Sequence, residues 1–180
     1  MAKTILSTLL LFLVSASLAA VSDAQTNGWK SYTNTAGNFK VLFPTDPADR
    51  VNPTGGDGTI DSHTIASRES GHIYSVVFAH LTTTQAVNEA SFIQYRDGVL
   101  KGLPNCKMEE EKPPAPAIDG YVGHWYRLSC TFQTDMVVRG NLYWGKHYGY
   151  AVMVYSPAAA KASPTETKFL ESFKLIEPTK

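Results

Sequence analysis

Charge of either sign is scarce in this 180-residue chain: Lys and Arg number 16, Asp and Glu 16, and charged residues make up 18%. A net charge of zero argues against nucleic acid as a partner, because polyanion binding is driven by a bulk positive potential. Cysteine is nearly absent, and the two present, Cys106 and Cys130, are spaced as neither a CxxC redox motif nor a metal knuckle. The five histidines never fall as His-x-His or His-Glu-x-x-His, so no metal site is expected. Gly-x-Ser-x-Gly, Ser-x-x-Lys and a glycine-rich loop entering a helix are missing too. The chain therefore offers no ready-made nucleophile or phosphate cradle, and no cofactor is expected. Only the N-terminus carries a long apolar run, so no integral membrane segment is expected once that run is removed.

What the chain has is aromatic and aliphatic material: hydrophobic residues are 43%, with 9 Tyr, 8 Phe and 3 Trp. That is enough to bury a proper core and argues against disorder. At the start, Lys3 precedes a largely apolar stretch over residues 4–18, and Ser22-Asp23-Ala24 sets small side chains before a cut at Gln25. Ser17-Leu18-Ala19 offers the same geometry earlier. This layout is that of a secretory signal peptide over residues 1–24, leaving residues 25–180 as one domain of roughly 155 residues, secreted or periplasmic. In that compartment Cys106 and Cys130 are expected to pair, closing a loop of about 25 residues that stabilises by about 3–4 kcal/mol.

Period-two alternation predicts strands over residues 29–32, 39–43, 59–67 and 73–81, the last two a hairpin turning at Glu69-Ser70-Gly71. Thr82-Thr83-Thr84-Gln85 reads as a cap for a helix carrying Phe92, Ile93, Val99, Leu100 and Leu103. Glu109-Glu110-Glu111, followed by Lys112-Pro113-Pro114-Ala115-Pro116, reads as a solvated, proline-stiffened connection. The longest β signal follows over residues 121–132, 136–144 and 147–155, with a two-residue turn expected at Gly145-Lys146. Ser163-Pro164-Thr165-Glu166 predicts a last helix with Ser163 as cap, Pro164 first and Glu166 as the reciprocal capping partner. The fold class expected is α+β, an antiparallel sheet of about six strands flanked by helices in an α/β/α sandwich.

Two segments stand out together: Phe39-Lys40-Val41-Leu42-Phe43-Pro44, with a second proline at Pro47, and Phe169-Leu170-Glu171-Ser172-Phe173-Lys174-Leu175. A strand ending in Phe-Pro, a middle helix after a hairpin, a meander and a closing Phe-Leu-x-Ser-Phe helix resemble the PsbP-like superfamily. That group includes the photosystem II extrinsic subunit PsbP, a Ran-binding nuclear-transport factor and exported bacterial proteins of unknown role. The resemblance implies a sheet sandwiched between helices and a scaffold used for binding rather than catalysis. None of the group's metal or partner contacts can be matched to a position here, and an export signal with two cysteines argues against a nuclear role.

Within the meander, a three-residue first turn gathers Val122, Tyr126, Leu128, Cys130, Val138, Leu142, Trp144 and Met153 on one face. The other face gathers Tyr121, Trp125, Arg127, Arg139, Asn141, Tyr143, Tyr148 and Tyr150. Flat rings beside guanidinium groups are the residue types that anchor interfaces. Trp125, Arg127, Arg139, Tyr143, Tyr148 and Tyr150 are thus the candidate binding residues of an exported, non-catalytic module, its partner a protein or a small anionic ligand. Cover of the rings by a helix and pairing of the arginines with acids is the competing structural account. The competing function is a small extracytoplasmic hydrolase with a site built from distant residues such as His124, Asp119 and Ser129.

Overall fold

The computed structural model describes residues 28–52, 62–81, 83–103 and 105–176. The expected signal peptide lies outside them, as does the expected cap residue Thr82.

Seven strands form one antiparallel sheet in the order β3-β4-β5-β9-β8-β7-β6. They are β3 (Ala48–Asn52), β4 (Ser62–Glu69), β5 (His72–His80), β6 (Cys106–Lys112), β7 (Val122–Thr131), β8 (Asp135–Trp144) and β9 (Tyr148–Pro157). A second sheet of three short strands, β1 (Lys30–Asn34), β2 (Phe39–Phe43) and β10 (Lys174–Leu175), has the order β1-β2-β10. The helices are α1 (Glu89–Lys101) and α2 (Pro164–Ser172). The α+β class with a sheet flanked by helices is therefore observed, but with two sheets and seven strands in the larger one. The two unexpected members of that sheet are its edges. β3 lies in a segment rich in proline and glycine, and β6 holds the acidic run read as a connection.

Alternation along β7, β8 and β9 separates two cores. One face buries Tyr126, Leu128, Cys130, Val138, Leu142, Trp144 and Met153 against Phe92 of α1. The opposite face buries Tyr74, Val76, Phe78, Tyr143, Tyr150, Val152 and Val154 against Phe39 and Phe43 of β2 and Phe169 and Phe173 at the C-terminal end. Phe39, Phe43, Phe92 and Phe169 are fully buried, and each such ring contributes about 1.5–3 kcal/mol of transfer free energy.

Local chemistry explains where elements begin and turn. Ser70 and Gly71, at φ 50° and 80°, form the two-residue turn of the β4–β5 hairpin, where both central residues need positive φ. Thr131 pairs with Asp135, so the first meander turn has the three residues assumed from sequence. The second turn is centred on Lys146 and His147, because Gly145 N–H donates to the Tyr148 carbonyl at 2.9 Å. That is one residue later than expected; the register moves by two, and every side chain keeps its face. Helix α1 is capped by Asn88, whose side chain accepts from Ser91 N–H at 2.9 Å, in place of the threonines upstream. The Leu81 and Gln85 N–H groups instead donate to His147 and Lys146 carbonyls, lacing that segment to the hairpin tip.

Candidate functional site

The face shared by Tyr143 and Phe173 opens into a groove of about 330 Å³. Pro116, Ala117 and Ile118 of the β6–β7 connection form one wall, and Leu170, Glu171, Lys174 and Leu175 of α2 and β10 form the other. Tyr143 and Phe173, stacked at 5.8 Å with ring planes 11° apart, also line it. The floor is set by a glycine. Gly123 lies directly opposite Tyr143 on β7, and a Cβ there would sit 2.6 Å from the Tyr143 ring. Glycine is thus what lets the ring lie flat over β7. Burial holds the Tyr143 hydroxyl protonated, its pKa pushed well above the ordinary phenol value. The groove offers apolar walls, with one acid and one base at its lip. Its volume falls within the roughly 300–1,000 Å³ of ligand sites.

A second constellation lies on the opposite face of the sheet. A β-bulge between Met108 and Glu110 breaks the alternation of β6. Met108 pairs with Leu128, yet beyond the bulge Glu111 pairs with Tyr126, so the extra residue turns Glu111 inward. Glu111 Oε1 accepts from Tyr126 at 3.1 Å and lies 2.6 Å from His124 Nδ1. Arg96 Nη1 of α1 donates to both Glu111 oxygens at 3.3 and 3.2 Å. Glu89 Oε1, in the first turn of α1, lies 3.3 Å from His124 Nε2, and Phe92 packs on the imidazole at 4.4 Å. Partial burial would raise the Glu111 pKa, but hydrogen bonds to His124 and Tyr126 and the Arg96 charge overcome it and hold the carboxyl below its usual range. Each imidazole nitrogen faces a carboxylate oxygen, so neither directs a lone pair into a cleft. The cluster fastens α1 and the edge strand to the sheet.

The six residues singled out from sequence share the predicted face but have separate fates. Arg139 is buried, donating to Glu166 Oε2 at 3.1 Å and to the Ala160 carbonyl at 3.2 Å. Glu166 also accepts from Ser156 Oγ at 2.6 Å. The carboxylate is therefore turned into the protein instead of back onto its own cap, where Ser163 Oγ accepts from Glu166 N–H at 3.2 Å. Tyr150 is buried, its hydroxyl donating to the Gly37 carbonyl at 2.8 Å. Tyr148 is half-buried between Tyr150 and His80. Trp125 is half-buried under the Lys112 ammonium, 5.1 Å from its ring centre, and Arg127 is exposed with Glu109 at 3.4 Å. Tyr143 alone of the six lines the groove. Of the residues raised for a hydrolase, His124 and Ser129 lie five apart on β7 and so on opposite faces; the structure does not bring them together.

Cys106 and Cys130 pair directly across β6 and β7 and form a disulfide, with Cα atoms 4.0 Å apart. Among the described residues no group of three or more His, Cys, Asp or Glu side chains is placed to hold a metal, and no helix is long and apolar enough to cross a membrane. Sequence reasoning missed Glu111, because only the bulge turns it inward. It also missed Pro116 to Ile118 and Leu170, apolar residues on a connection and a helix shoulder whose meeting depends on tertiary packing. No family model, curated protein or solved structure matches the chain.

Proposed function

We propose that the protein is an exported, non-catalytic binding module of PsbP-like kinship, and that its partner is a protein engaged through the groove over Tyr143 and Phe173. The observation that carries this reading is the groove itself, an apolar trough of about 330 Å³ with Glu171 and Lys174 at its lip. Arg139 and Arg127 already have acidic neighbours in Glu166 and Glu109, which disfavours the small anion as occupant. Export is supported by the signal-like residues 1–24 and by the Cys106–Cys130 disulfide, a bond that persists in oxidising compartments. Filling the trough tests the reading. Leu170→Trp is expected to abolish binding of partner-derived peptides or proteins while leaving the folded spectrum unchanged. A Leu170→Trp protein that binds as the parent does would overturn it.

A further inference from the structure

We infer that the occupant of the groove is an extended polypeptide segment of the partner, added antiparallel to the outer edge of β10; this rests on the groove being a binding site. β10 is an edge strand. Lys174 pairs with Lys40, and Ile176 N–H donates to the Asn38 carbonyl at 3.1 Å. In an antiparallel ladder the bonded and non-bonded pairs alternate. Lys174 and Ile176 therefore turn their backbone groups toward β2, while the N–H and C=O of Leu175 point away from the sheet. The inner side of the ladder is satisfied even ahead of β10, since Leu42 N–H donates to Ser172 Oγ at 2.9 Å. Among the described residues no backbone–backbone bond from another segment closes the outer side.

Lys174 and Leu175, the two residues of this edge strand, both line the groove together with Pro116, Ala117 and Ile118. A small apolar molecule filling the trough would leave the Leu175 donor and acceptor unpaired, whereas a strand satisfies both and sends an apolar side chain down toward Tyr143 and Phe173. Given that antiparallel direction, charge sets the order of the partner's side chains. Glu171 and Lys174 are both exposed and lie in that order along the chain. A segment running antiparallel, as every strand pair among the described residues does, meets Lys174 with an acid near its start and Glu171 with a base near its end.

The test is titration of the ¹⁵N-labelled protein with blocked pentapeptides of the form acetyl-Val-Glu-X-Val-Lys-amide, whose first residue pairs with Leu175, X being Leu, Phe or Ala, and with charge-reversed versions. Binding is expected to be tightest for X = Leu or Phe with the acid ahead of the base, and to slow hydrogen exchange at the Leu175 amide. N-methylation of the peptide's strand-facing amide should weaken binding at least about tenfold, the loss expected for one unmade hydrogen bond. Leu175→Pro should do the same while preserving the rest of the amide spectrum, because the N–H it removes is not used by β2; Leu175→Ala should lose less. The inference is overturned if no peptide shifts the groove amides, or if the N-methylated peptide binds equally. It also fails if the free protein is a dimer with the Leu175 amide already protected. Equal binding of the N-methylated peptide that Leu170→Trp still abolishes would refute the added strand and leave the groove standing. Equal binding to Leu170→Trp would refute both.

Discussion

Arg139 and Glu166 meet inside the protein at 3.1 Å, their side chains only 11% and 3% exposed. One comes from the centre of β8 and the other from the first turn of α2, so this ion pair joins the C-terminal helix to the sheet. Removing one partner strands the other charge. Glu166→Gln is expected to lower unfolding stability by about 3–5 kcal/mol, whereas Arg139→Met combined with Glu166→Leu should cost far less. Urea unfolding of the Glu166→Gln variant and of the double variant measures the difference.

Glu111 makes stability depend on acid. Its folded-state pKa is depressed, so it binds a proton less readily folded than unfolded. The stabilisation is fully present above the unfolded value near 4.5 and is lost as pH falls through the lower folded value. Urea midpoints taken from pH 6 down to pH 3 should fall more steeply for the parent than for Glu111→Gln, and the two curves should converge at the acid end.

The disulfide holds edge strand β6 against β7 across a sequence separation of 24. Replacing both cysteines by alanine is expected to cost about 3–4 kcal/mol. Amide exchange should then rise first along β6, the strand that carries Glu111, ahead of the sheet centre. Hydrogen-exchange mass spectrometry with and without the bond reads both effects.

The Tyr143 ring occupies the space above Gly123. Gly123→Val should force the ring off β7, destabilise by about 1–3 kcal/mol and disturb groove binding. Gly98 on α1, where an added Cβ meets nothing within 4 Å, is the control: Gly98→Ala should stabilise by roughly 0.5–1 kcal/mol. Thermal unfolding of both variants separates the two cases.

The strands legible in the sequence were those whose alternation is strong. In β7 both face sets were readable, because a one-residue slip would have put Leu128 where Arg127 stands in water; β8, buried on both faces, took its face sets from the three-residue turn that joins it to β7. The helix caps were half legible. Ser163 caps α2 as its spacing indicates, but Glu166 answers to Arg139, a residue 27 positions away, and no local pattern encodes that. β6 was unreadable because an edge strand needs few apolar residues, and its bulge scrambles what alternation there is. Of the candidate site, Tyr143 was found by its face. The walls of the groove were not, since Ile118 and Leu170 come together only when the C-terminal helix docks.

The charges of β6 bear on how the molecule keeps company with copies of itself. An open seven-stranded sheet exposes a row of backbone groups at each rim, and a bare rim recruits like chains into fibrils. Here one rim is studded with Lys107, Glu109, Glu110 and Lys112, kinked by an extra residue and bolted to its neighbour by sulfur. A second molecule approaching that rim meets a crooked, charged border with no flat run of hydrogen-bonding sites to extend.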